Sequence, residues 1–213
     1  LATKPISVEA VLEFLKKNYP DAHCELKFEN PYQLIVATIL SAQCTDERVN
    51  KVTPQLFSQF QNFEQLSKAT NKQVEEIIRS TGFYKNKANN LVKMAQQVCK
   101  NHQGQLPPDI DQLTELPGVG RKTANVVLGN AFNIASGVVV DTHVKRLTQK
   151  WGWTRESDAE KIEQLLNQMI PMTDWIMFSH WVIWHGRRLC KARTPLCQQC
   201  NLEKLCPKIV IKV

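Results

Sequence analysis

Apolar residues recur at helical spacing almost from one end of this sequence to the other, and an all-α fold is the architecture that buries such a pattern. Val8, Val11, Leu12 and Leu15 share one face, with Ser7 placed to cap the helix and Pro20 beyond its end. Asn30 and Pro31 open a second helix through Leu34, Ile35, Thr38 and Ile39; proline is harmless at a first helical position because its missing N–H had no partner. The same spacing predicts helices near 46–60, 71–80, 85–101, 109–116 and 121–131, with Gly82 and Gly104 where C-terminal caps belong. Further on, Ser157 and Glu160 have capping-box spacing ahead of Ile162, Leu165, Leu166 and Met169, and Thr173 is placed to cap a last helix rich in tryptophan. Trp175, Trp181 and Trp184 are expected to pack a core. Only Val138 to Val140 reads as extended, and three residues do not make a sheet.

Charge and cysteine usage narrow the function. The 27 Lys and Arg against 20 Asp and Glu leave a net charge of +7 on an otherwise ordinary globular composition, which makes nucleic acid the first partner to test. The sequence holds no apolar run long enough to span a membrane and no signal-peptide pattern, so a soluble intracellular protein is expected, in the cytoplasm or nucleoid if bacterial. A first residue of Leu points to a trimmed N-terminus. Four of the seven cysteines crowd into one C-terminal stretch while Cys24, Cys44 and Cys99 are scattered, a distribution that reads as metal binding in a reducing compartment.

The most informative stretch is Leu116-Pro117-Gly118-Val119-Gly120-Arg121-Lys122-Thr123-Ala124. Two glycines around one aliphatic residue permit a tight turn whose backbone N–H groups face outward at the start of a helix, an arrangement suited to a phosphate. Val119 would anchor the turn, and contacts made this way hold the sugar-phosphate backbone without reading bases. By itself Pro-Gly-x-Gly better suits an ordinary helix connection. The segment 81–92 lies over 117–128 without a gap, as two copies of one helix-turn-helix unit would, although only the second has a lysine where the first has Asn86.

Lys122 falls in the first turn of the second hairpin helix, where Arg121 and the positive end of the helix dipole disfavour an ammonium. A phosphate-binding cation is the plain alternative to a nucleophile. Downstream, Val140-Asp141-Thr142-His143-Val144 is an apolar run ending in a carboxylate where a helix should begin, so Asp141 is at least an N-cap, with Lys145 and Arg146 solvated beyond it. Together, the hairpin with Asn125-Val126-Val127-Leu128 after it and the Val-Asp-Thr-His segment closely resemble the endonuclease III family of DNA glycosylases.

That resemblance covers nearly the whole chain. It implies a two-lobed helical fold, with one lobe at 22–134 containing the helix-hairpin-helix at 109–131, and the other built from 1–21 and 135–213. It places the family's catalytic lysine and aspartate on Lys122 and Asp141, with Thr142 and His143 as supports, His143 being hydrogen-bonded in the core. The implied reaction has a damaged base flipped into a pocket between the lobes, Lys122 attacking the sugar C1′, and β-elimination nicking the strand.

Cys190, Cys197, Cys200 and Cys206 have the spacing C-x6-C-x2-C-x5-C, which chemistry alone allows for either a structural zinc or an iron-sulfur cubane. The resemblance implies a 4Fe-4S cluster, whose loop would present Lys191 and Arg193 to DNA. It also puts Gln43 where the family fills the gap left by a flipped base, and Phe83 where relatives carry an aliphatic wedge. Gly118, Val119, Gly120 and Arg121 complete the expected DNA contacts. The implied partner is double-stranded DNA with oxidised pyrimidines or abasic sites, met by a monomer. The rivals are an adenine glycosylase, opposed by the lysine at 122, and a noncatalytic hairpin module holding zinc. His23, His102, His180 and His185 show no metal-ligand spacing and are read as structural.

Overall fold

The computed structural model of the chain describes residues 4–209, and they contain no strand. The backbone divides into two units, one continuous from Cys24 to Ser136, the other assembled from the residues up to His23 and those from Gly137 onward.

The continuous unit is organised around α2 (Pro31–Leu40), which is buried on nearly every side from Tyr32 to Leu40. Asn30 caps it by accepting from the Gln33 N–H, and Pro31 follows at the first helical position. Around it stand α3 (Asp46–Gln59), α4 (Phe63–Ser67), α5 (Asn71–Ile78), α6 (Tyr84–His102), α7 (Ile110–Thr114) and α8 (Arg121–Phe132). The predicted 109–116 helix is shorter than expected because Asp109 is its cap and Glu115 begins the hairpin turn. Sequence periodicity misses α4, a single turn capped by Asn62 and held through Phe63 and Leu66 against α6.

In the other unit α1 (Val8–Asn18), capped by Ser7, packs Val11, Leu12, Phe14 and Leu15 into a second core with α9 (Thr142–Lys150), α10 (Ala159–Met169) and α11 (Trp175–Arg188). Lys16 pairs with the largely buried Asp174 at 2.7 Å. Trp181 and Trp184 are buried and Trp175 partly so, as a core role requires.

Two caps differ from expectation. Asp158, not Ser157, accepts the Lys161 N–H ahead of α10. Before α11 a 3-10 turn at Met172–Asp174 leads in with no side-chain cap, because the Asp174 carboxylate is turned to Lys16, so Thr173 does not cap it. The extended 138–140 run pairs with side chains in place of a strand: Asn167 Oδ1 accepts from the Val138 N–H, and Ser179 Oγ donates to the Val139 carbonyl. This tie fixes the approach to Asp141.

Candidate active site and cysteine loop

Of the hairpin's two glycines, only Gly118 is fixed by local backbone needs. Gly118 has φ +78, a conformation that L side chains resist, and a Cβ there would come within 3.0 Å of Asn90 Cβ on α6. Glycine at 118 is therefore required by the chain's own packing. Gly120 differs: it caps α8 with an extended backbone, and a Cβ there would meet nothing within 4 Å, so the absent side chain opens onto free space. Val119 is buried as the anchor of the turn, and its N–H donates to the Leu116 carbonyl at 3.0 Å. The outward donors of the turn are thus fewer than the glycine pattern alone suggests. No side chain caps α8, which leaves its first turn to present main-chain N–H groups beside the exposed Arg121 and Lys122.

Asp141 caps α9 in the other unit. Its Oδ1 accepts from the N–H groups of His143 at 2.9 Å and Val144 at 2.8 Å, so one carboxylate oxygen carries the whole cap. The His143 ring lies flush against Gly186 of α11, where a Cβ would approach its Nδ1 to 2.6 Å. Arg146 is not on a solvated face: its guanidinium reaches the Gly186 carbonyl at 3.4 Å and the Cys190 sulfur at 3.9 Å.

Gln43 and Phe83 both lie in the continuous unit, and both hold left-handed backbone, with φ 52 and φ 47. Gln43 is exposed, in the turn after α2. Phe83 is 64% exposed, which rules out a core role for it; it stands just after a 3-10 turn at Arg79–Thr81 and just before α6. An exposed aromatic residue held at positive φ is unfavourable twice over, a combination that clusters at functional sites.

The four clustered cysteines are partly buried, free of disulfides, and line one mostly apolar depression together with Trp151, His185, Leu189 and Leu196. Among the described residues, no group of three or more His, Cys, Asp or Glu side chains is disposed to hold a metal ion. Burial pushes the Cys200 and Cys206 thiols up, and the neighbouring cysteines add to the shift, as expected of sulfurs that share one pocket. Main-chain bonds from Cys190 N–H to His185 O and from Leu196 N–H to Leu189 O fold the loop back on α11, while Leu202 is buried in the core. Lys191 and Arg193 are exposed on the loop's outer side.

The family model for HhH-GPD superfamily base excision DNA repair proteins matches residues 36–172. Endonuclease III of Synechocystis sp. is 50% identical over 207 residues, covering 97% of this chain and 94% of that protein. The chain belongs to the endonuclease III family, within the HhH-GPD superfamily. Two solved endonuclease III structures, one a non-covalent complex with DNA and one a trapped covalent intermediate with DNA, superpose on it with TM-score 0.90 at 41% identity, each covering 94% of both chains.

Two residues of this endonuclease III chain escape a motif reading. Lys87 is only 5% exposed, and its ammonium donates to the Leu40 carbonyl at 2.8 Å and the Thr81 carbonyl at 2.7 Å. Burial pulls its pKa below the usual lysine value. The available signal was its place one turn before Leu91 on the apolar stripe that continues through Met94 and Val98. Arg146 gave no such signal, since its partner is contributed by the distant cysteine loop.

Proposed function

We propose that this chain is a bifunctional DNA glycosylase and abasic-site lyase of base excision repair, acting on oxidised pyrimidines in double-stranded DNA. The observation that carries the reading is the trapped covalent DNA intermediate of a 41%-identical endonuclease III with TM-score 0.90, taken with an exposed Lys122 on the uncapped first turn of α8. The turn at Gly120 and the main-chain donors of α8 hold a phosphate, with no Cβ to keep it away. Lys122 Nζ forms a bond to the sugar C1′ as the bond from C1′ to the base breaks, the departing base taking up a proton; the C1′–O4′ bond then opens, O4′ taking the proton that the nitrogen loses, and an imine remains. Asp141 stabilises the positive charge developing on the sugar through the carboxylate oxygen its cap does not use. Loss of a C2′ proton then expels the 3′ phosphate, and water hydrolyses the imine to release Lys122.

Cys190, Cys197, Cys200 and Cys206 fit a 4Fe-4S cluster: four undisulfided thiols line one apolar depression. Its contribution is architectural, tying the loop that presents Lys191 and Arg193 to DNA phosphates.

Incubation with abasic and thymine-glycol duplexes in the presence of borohydride tests the chemistry. Wild-type protein is expected to form a covalent adduct with both, and Lys122→Ala with neither. No wild-type adduct, or an undiminished one in the variant, rejects the assignment. A colourless protein that contains zinc would overturn the cluster.

A further inference from the structure

We infer that Lys87 is a positioning residue that sets the spacing of the two loops by which this enzyme enters the duplex. The inference rests on the assignment of Gln43 and Phe83 as the residues that enter it. Those residues stand on separate segments, and Lys87 is the group that joins their bases. A single nitrogen donates to Leu40 O, three residues before Gln43, and to Thr81 O, two residues before Phe83. Leu40 O is among the terminal carbonyls of α2, which lack a partner within their own helix, and Thr81 closes the 3-10 turn.

Why a lysine should sit there is the informative point. The position belongs to the buried stripe of α6, where an apolar side chain would be the cheaper occupant, and desolvating an ammonium is costly. An apolar residue would, however, leave two carbonyls without this donor at the places where the chain must turn into left-handed backbone. Gln43 and Phe83 each hold a conformation that is unfavourable for an L residue, and such conformations persist only when their surroundings fix them. Because the tie is buried, water does not compete for it, and the two loops are held at one separation before DNA arrives. Preorganised loops lower the ordering cost of opening a base stack. The second hairpin has no counterpart: Thr123 falls opposite Lys87, Val119 is buried where Phe83 protrudes, and the turn rests on Asn90.

The test compares strand cleavage at an abasic site in a duplex with cleavage at the same site in a single strand, where no stack is opened and no opposite base is left unpaired. Lys87→Met removes the donors at near-constant volume. It is expected to lower the ratio of duplex to single-strand kcat/KM at least tenfold, with 2-aminopurine fluorescence opposite the lesion showing weaker unstacking. Lys87→Arg, which keeps the donors, is expected to recover most of the ratio. A merely structural lysine would lower both activities together along with the melting temperature and leave the ratio unchanged, and that result overturns the inference. Should Lys87→Met fail to fold, the ratio for Lys87→Gln, which retains a shorter donor, decides in the same way. Gln43→Ala and Phe83→Ala separate the two assignments. If they lower the ratio and the Lys87 variants do not, Lys87 alone is rejected; if they leave the ratio unchanged, the entry loops and the inference fall together.

Discussion

A carboxylate that caps a helix through one oxygen keeps the other for a second task, and Asp141 offers a way to separate the two. Asn caps about as well as Asp, so Asp141→Asn is expected to leave the melting temperature nearly unchanged while base excision falls about 10²-fold or more. Asp141→Ala should lose the activity and about 1 kcal/mol of stability as well, measured by urea unfolding. His180 carries a different test. Burial, with His23 beside it, holds its pKa at about 4, below the 6.5 of a free imidazole. The folded protein thus binds fewer protons than the unfolded chain between those values. Its contribution to stability is complete above pH 6.5 and is lost as the pH falls toward 4, by at most about 3 kcal/mol. Unfolding free energies across that window should slope less steeply in His180→Asn than in wild type.

At the scale of elements, the hairpin glycines are alike in the motif and unlike in the molecule. Gly118→Ala should cost about 1–2 kcal/mol or more, since positive φ and the contact with Asn90 both oppose a methyl group, and α8 would shift with the turn. Gly120→Ala should leave the melting temperature close to wild type yet weaken binding to an abasic-analogue duplex about tenfold, measured by fluorescence anisotropy. The sequence could not tell the two apart, because Asn90 meets Gly118 only after α6 and the hairpin have packed. Helices with a long apolar stripe and a nearby cap, such as α1 and α2, were legible from spacing alone. The single turn of α4 was not, being too short to show a period and stable only against α6. The caps of α10 and α11 were misjudged because Asp158 competes with Ser157 one position away, and because a tertiary partner, Lys16, draws the Asp174 side chain off. The hairpin, Asp141 and the cysteine spacing were legible because each is contiguous or nearly so; the ties made by Lys87 and Arg146 span distant segments.

At the scale of the whole molecule, the excess of 27 basic over 20 acidic residues should make duplex affinity strongly salt-dependent. If the cysteine loop touches phosphate, Lys191→Ala and Arg193→Ala should each lower the slope of log K against log salt by about one, without altering lesion preference. The unequal continuity of the two units also bears on how the chain is made. Residues 24–136 leave the ribosome as one run and can complete their core in order. Helix α1, synthesised before that run, packs on α11, which begins only at Trp175. For most of translation its face of Val11, Leu12, Phe14 and Leu15 is an orphaned greasy strip, so the newborn polypeptide is expected to engage holdase chaperones at this segment and to let go only when Trp181 and Val182 have emerged.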